Sequence, residues 1–281
     1  MTRNTFSCLD HHFSVEVSDP ELSLVIAHLY DRFRSNRAPD VDYTVVQWQY
    51  EADLVSAVFV DGHRAAMTRD PAALLAHLVW EINNRVIGAT TPHELLLHAS
   101  AAERDGQAVL MPAPSGSGKS TLVSGLVAAG FGYLTDDVAV MSDDNLQPYP
   151  KPIALAAHLH DRFDSFEAPP FLTPFLGEHG FVAPEDLGGH VGVPAEPRLV
   201  VVPAYSPGAP NHLVELPRVA CLKLLIEQSF NAATLGGVAM PSIARALEGC
   251  HCYRLEYDDL ARGVELVSEA LGRAASAFAR H

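Results

Sequence analysis

Basic residues are scarce in this chain. It carries 19 lysines and arginines against 34 aspartates and glutamates, a formal net charge of −15. No cluster of Lys and Arg stands anywhere along it. A protein that grips a nucleic-acid duplex needs a basic face, so nucleic acid is not expected as a partner. Long apolar runs are also lacking. None approaches the ~20 residues that span a bilayer, and membrane association is not expected. The opening MTRNTFSCLD has no signal-peptide core, which points to the cytoplasm. Four cysteines (Cys8, Cys221, Cys250, Cys252) suit a reduced protein better than a disulfide framework. Cys250-His251-Cys252 has no second ligand pair at a metal-site spacing and reads as a strand. The 14 histidines are scattered. His158 and His160 suit one face of a strand, without the carboxylates that would make them a metal site. There is no internal repeat and no low-complexity tract.

What remains is the composition of an ordinary folded core, 48% hydrophobic and 19% charged over 281 residues. Hydrophobic periodicity predicts a small α/β domain over residues 1–88. A strand at Phe13–Val17 precedes an amphipathic helix opened by Pro20. Strand-like segments at Tyr43–Tyr50 and Leu54–Val60 lead to a hairpin turn at Asp61-Gly62, and a second helix follows Asp70-Pro71. A seam is expected at Gly88–Pro92, and a second domain over 89–281. Prolines crowd residues 148–210 and predict rigid, irregular loops over the active face. Beyond them come a strand at Arg198–Val202, helices at 219–230 and 238–248, a strand at Tyr253–Tyr257 and a closing helix at Leu260–Phe278.

The most informative segment is Ala113-Pro114-Ser115-Gly116-Ser117-Gly118-Lys119-Ser120-Thr121. Apolar Ala108–Met111 precedes it and a helix-compatible stretch follows, the strand–loop–helix setting of a phosphate-binding loop. Successive backbone N–H groups of Ser115 to Thr121 can cradle phosphate oxygens at the positive end of the helix. Lys119 is expected on the terminal phosphates and the Ser120 hydroxyl on Mg²⁺. The motif's first glycine is replaced by Ala113, while Gly116 and Gly118 keep the tight part of the loop free of side chains.

Asp136-Asp137 follows the loop's helix, and His98 lies on the strand preceding the loop. Two carboxylates beside a phosphate-binding loop supply what phosphoryl transfer needs. One can hold Mg²⁺, directly or through water, and the other can accept the proton of an attacking hydroxyl.

The order His98, phosphate-binding loop, Asp136-Asp137 resembles the catalytic domain of HPr kinase/phosphorylase, a family that shares its core with ATP-dependent phosphoenolpyruvate carboxykinases. The chain is more closely similar to the HPr-kinase-like serine kinases of bacterial peptide-modification clusters, such as those for lasso peptides. The stretches Leu97–Ala101, Tyr133–Asp137, Tyr149–Pro152 and Gln228–Asn231 carry that likeness, which covers about residues 94–257. The resemblance implies a mixed-sheet P-loop core of the HPr kinase/phosphoenolpyruvate carboxykinase class behind a small α/β N-terminal domain. It implies Lys119 and Ser120 as phosphate and metal ligands, Asp136 as general base, Asp137 at the metal, and His98 positioning the base. The family's arginine–glycine signature with its metal-associated glutamate has no match near residues 155–170, and its glycine–arginine–asparagine loop is missing. The absence of these elements weighs against phosphorolysis and against HPr as acceptor, and leaves the parts needed for kinase chemistry in place. By position, Lys151, Gln228 and Asn231 are candidates for contact with the phosphate or the acceptor.

The expected function is transfer of the γ-phosphoryl group of ATP, with Mg²⁺, to a serine hydroxyl of a peptide or small protein. Two other readings stand beside it: a kinase of a free small-molecule hydroxyl, and a module that keeps ATP as a structural or regulatory ligand. Product mass separates the three. Homo-oligomerisation is left open.

Overall fold

A computed structural model describes residues 1–89, 94–178 and 180–278. The chain divides into two compact units, Met1–Thr91 with Lys151–Asp186, and Pro92–Pro150 with Leu187–His281. Residues 90–92 of the expected seam lie outside the described residues.

The first unit opens with an antiparallel hairpin, β1 (Thr2–Cys8) and β2 (His11–Val17). Helix α1 (Pro20–Leu29) starts where the sequence places it: the Asp19 side chain accepts from Leu22 N at 2.9 Å, and Pro20 needs no N–H partner in the first turn. α1 carries the chain over to β3 (Val41–Tyr50), which runs parallel to β2. β4 (Asp53–Val60) and β5 (His63–Thr68) complete a five-stranded sheet in the order β1-β2-β3-β4-β5. The turn between them puts Asp61 at φ 50° and Gly62 at φ 78°, the left-handed pair of a tight hairpin. Helix α2 (Pro71–Ala89) presents Leu74, Leu75, Leu78, Ile82 and Val86 to the core.

The second unit begins with β6 (Leu95–Leu97), β7 (Ala99–Arg104) and β8 (Gln107–Pro112), followed by α3 (Lys119–Ala128). Then come β9 (Gly132–Thr135), β10 (Ala139–Ser142) and β11 (Asn145–Gln147). Of the proline-rich stretch 148–210, expected to loop over the active face, Lys151–Asp186 belongs to the first unit and the remainder to the second. The Lys151–Asp186 segment pairs β12 (Ile153–Ala154) with β13 (Phe181–Val182) and is otherwise built of turns and short 3-10 helices. One of these, Ala157–Arg162, holds His158 and His160 where alternation suggested a strand. His28 of α1 ties the segment down, its Nε2 lying 2.9 and 3.1 Å from the two carboxylate oxygens of buried Asp186.

The second unit resumes with β14 (His190–Val191), β15 (Glu196–Tyr205) and β16 (His212–Glu215). Helices α4 (Arg218–Glu227), α5 (Ala232–Leu235) and α6 (Ala239–Ala246) precede β17 (His251–Tyr257) and α7 (Leu260–Phe278). The main sheet has seven strands in the order β14-β9-β7-β8-β15-β17-β16, with β8, β15 and β17 parallel. A smaller sheet runs β11-β10-β6. Helices α3 and α7 pack together and against the main sheet. Cys221, Leu225 and Ile243 from α4 and α6 share a second core with Leu97, Ala101, Leu110, Leu134, Met141 and Val200. All four cysteines are free and buried, and burial pushes the Cys250 thiol up to about 12. No helix among the described residues is long and apolar enough to cross a membrane.

One group in the first unit links its fold to pH. Burial, then the charge of Arg85, lowers His11 from 6.5 to about 4, against weaker opposing effects of Asp40 and Asp61. In the unfolded chain His11 takes up its proton near 6.5. At this site the unfolded state thus binds more protons between those values, so the contribution of His11 makes stability fall as pH drops from about 6.5 towards 4. We expect His11→Gln to flatten part of that decline. Thermal melts of both proteins from pH 7 to 4.5 check this; parallel curves would show that His11 takes no part.

Candidate active site

The site grows from two strand paths that bend together. β6 pairs with β10 in the small sheet, while β7 pairs with β9 in the large one. Each path leaves one sheet for the other through a short link. His98 is the link between β6 and β7, and residues Asp136 to Val138 are the link between β9 and β10. The ladder β7–β9 carries an irregularity there: Ala101 faces Thr135, but Ala102 faces Tyr133, so Leu134 bulges out. Its carbonyl accepts from Tyr149 N at 2.9 Å instead. A bulge re-aims the residues that follow it, and these are the two aspartates. Asp137 is held at φ 82°, a left-handed conformation that Asp tolerates better than most residues.

The phosphate-type loop, residues 113–118, joins β8 to α3. Gly116 (φ 82°) and Gly118 (φ 95°) both have left-handed backbone, and no side chain caps the N-terminus of α3. That leaves the first N–H groups of a ten-residue helix directed at the loop, an anion-binding arrangement. Ala113 is fully buried, and its carbonyl accepts from Lys119 Nζ at 2.6 Å. Pro114 O accepts from the same ammonium at 3.2 Å. The loop is backed by aromatic rings: Tyr257 Oη donates to Gly118 O at 3.2 Å, and Tyr205 N donates to Ser117 O at 3.2 Å.

Lys119 and His98, two of the expected catalytic side chains, come together with Asp137, the expected metal ligand. Lys119 Nζ lies 3.2 Å from His98 Nε2, and His98 Nδ1 lies 3.0 Å from Asp137 Oδ1. An ammonium only donates, so Nε2 accepts, and the imidazole proton sits on Nδ1 and points at Asp137. His98 is steadied from behind: its backbone N–H donates to the backbone carbonyl of Gln228 at 2.6 Å, and the Phe230 ring meets the imidazole edge to face at 5.7 Å. Asp136 is placed differently. It is 1% exposed, and its Oδ1 accepts from Ser120 Oγ at 3.0 Å and from Ser100 Oγ at 2.7 Å. Burial and the Asp136 charge push the Tyr133 phenol beside it well up.

The remaining candidates are placed as follows. The Asn231 side chain is engaged by the backbone of the first strand path, donating to Glu94 O at 2.7 Å and accepting from Leu96 N at 3.0 Å, so it holds β6 in place. Gln228 enters the site through its carbonyl. Lys151 is buried and belongs to the first unit. The sequence reading assigned nothing to Ser100, Tyr205 or Tyr257. For Ser100 the signal was there, since the alternation of a strand puts it on the side of His98. The two tyrosines approach the loop through strand pairing that a linear reading does not give.

The oxygen donors Ser120 and Asp136, adjacent and hard, fit Mg²⁺ held jointly with phosphates. Among the described residues no three His, Cys, Asp or Glu side chains are grouped to hold a metal by themselves.

No family model matches the chain, and no curated protein matches it. Among solved structures, the Hpr(Ser) kinase/phosphatase from Coxiella burnetii matches at 13% identity and a TM-score of 0.36, covering 66% of this chain and 96% of its own. A likeness of that size carries no argument for this chain.

A Cβ added at Gly118 would lie 2.6 Å from Tyr257 Oη, on a backbone at φ 95°. Left-handed backbone alone costs a side chain about 1–2 kcal/mol. We expect Gly118→Ala to lower the melting temperature, and adding Tyr257→Phe to recover only the part due to the clash. Full recovery in the double variant would mean that backbone conformation contributes nothing; no recovery would mean that the hydroxyl contact is harmless.

Proposed function

We propose that this protein is an ATP- and Mg²⁺-dependent phosphotransferase acting on an alcohol, with a serine of a peptide or small protein as acceptor. The observation that carries the reading is the chain of contacts Lys119–His98–Asp137 beside a glycine-kinked strand–loop–helix turn. A module that merely stored nucleotide would have no use for a carboxylate and an imidazole aligned behind the phosphate-facing lysine. The serine and peptide character of the acceptor rests on the sequence resemblance alone.

The geometry favours a division of labour opposite to the one the resemblance implies. Asp136 is buried and already bonded to Ser120, the expected metal ligand, so it belongs on the metal side. Asp137 has a side chain 40% exposed and is oriented by His98 Nδ1–H, so it is the carboxylate an incoming hydroxyl can reach. Mg²⁺, when bound, supplies neutralisation of charge on the β- and γ-phosphates.

The chain's own residues then act as follows. Backbone N–H groups of residues 115–121 hold the phosphates. Lys119 exchanges the carbonyls of Ala113 and Pro114 for phosphate oxygens, a charge-assisted and stronger pairing. The acceptor hydroxyl gives its proton to Asp137 as its oxygen attacks the γ-phosphorus; the bond from phosphorus to the β–γ bridging oxygen breaks, and ADP leaves. Phe230, 43% exposed beside His98, offers an apolar flank to the acceptor. The rate gain is positioning plus charge neutralisation.

The test is incubation with ATP, Mg²⁺ and serine-containing peptides, read by intact mass for added phosphate. Lys119→Ala should nearly abolish turnover; activity within about threefold of wild type would take the loop out of the mechanism. Asp137→Asn should cut transfer by about a hundredfold or more while calorimetry still shows nucleotide binding. Asp136→Asn should weaken Mg²⁺-dependent nucleotide affinity itself. The reverse pattern would restore Asp136 as the base. Phosphate gained by a small metabolite instead of a peptide would move the acceptor class.

A further inference from the structure

The loop has a second, exposed aromatic beside it, and it stands where the rest of a nucleotide must go. Tyr205 is the last residue of β15, the parallel neighbour of the loop's own strand β8. In open α/β sheets ligands lie off the carboxyl ends of such neighbouring strands. The Tyr205 Cβ would lie 3.2 Å from a Cβ placed on Gly118, and Tyr205 N donates to Ser117 O, so the strand end that carries the ring and the loop are held in fixed register.

The neighbouring ring has a different task. Tyr257 is buried, wedged against Gly118 and Gly263 and bonded to the loop carbonyl, which explains it as loop support. Tyr205 stands outside it at a centroid distance of 5.6 Å, edge to face, and is 45% exposed. Loop support does not require a second, exposed ring.

The turn that follows Tyr205 is pinned as well. Ser206 N donates to Tyr257 O at 3.0 Å, and Gly208 N donates to Asp258 Oδ2 at 3.1 Å. Asn211 holds the far end, donating to Asp258 Oδ1 at 2.6 Å and accepting from the N–H groups of Asp258 and Asp259 at 3.1 Å. A ring that is exposed on a turn this well fixed is pre-organised for a planar ligand at little entropic cost.

We propose that Tyr205 is the nucleobase platform of the site, stacking on the base of the nucleoside triphosphate whose phosphates the 113–121 loop holds. This rests on the phosphate-binding reading above. The platform meets the π-face of the base and not its hydrogen-bonding edge, so ATP and GTP both gain from it. It also supplies attraction that the acidic chain cannot offer electrostatically.

The test compares ATP with inorganic tripolyphosphate, which has phosphates but no base, by calorimetry in Mg²⁺ on the full chain. Wild type should prefer ATP, and Tyr205→Ala should weaken ATP by about tenfold while leaving tripolyphosphate unchanged. Tyr205→Phe keeps the π-face and should bind both as wild type does. Equal weakening of both ligands in Tyr205→Ala would make Tyr205 loop support only. Equal affinity of wild type for both would likewise overturn the platform and leave the phosphate site standing. Wild type binding neither ligand would overturn both.

Discussion

Everything in the second unit depends on two antiparallel strand paths bending at the same level. If β6 ran straight into β7, His98 would sit inside a ladder with its side chain committed to one face of a sheet. If β9 ran straight into β10, the aspartates would do the same. Because both paths switch sheets together, a histidine and two carboxylates come off regular pairing side by side, opposite the start of α3. The bulge at Leu134 and the left-handed Asp137 make the switch possible. Neither comes without cost: strained backbone at such positions persists only where the surrounding structure holds it, and such positions cluster at functional sites. Here the buried ladders of β7, β8 and β15 do the holding.

The electrostatics follow from that geometry. In a chain of net charge −15, a polyanionic ligand has little long-range attraction to draw on. Attraction has to be local: backbone N–H groups, a helix terminus and one ammonium. Lys119 is only 6% exposed, and a buried ammonium needs acceptors. The carbonyls of Ala113 and Pro114 and the His98 ring nitrogen supply them. Those neutral acceptors are weaker partners than phosphate oxygens, so the lysine is kept in place without being locked away.

Much of this site was legible in the sequence because its parts are local. The loop, its lysine and the twin aspartates each follow from short spacings with a chemical reason. Hairpin turns at Asp61-Gly62 and the start of α1 at Asp19-Pro20 were legible on the same ground. What was not legible is set by pairing between distant segments. The roles proposed for Asp136 and Asp137 turn on which one faces Ser120 and Ser100, and that depends on a bulge no local pattern announces. Tyr205 and Tyr257 reach the loop only because β15 lies next to β8, and β17 next to β15, in the sheet order. The segment Lys151–Asp186 looked like loops of the domain it interrupts, since proline content says that a segment is irregular but not which core it packs on.

The most direct measurement is a crystal structure with Mn²⁺ in place of Mg²⁺ and a β,γ-imido analogue of ATP, the metal located by its anomalous signal. The metal should be within about 2.1–2.2 Å of Ser120 Oγ, with Asp136 bound to it or to one of its waters, as expected for a small hard cation shared with phosphates. Lys119 Nζ should have left Ala113 O for a phosphate oxygen, and Asp137 should remain on His98, turned towards the γ-phosphate. A metal seated on Asp137 and His98 with Asp136 remote, or an analogue bound away from residues 113–121, would contradict the site described above.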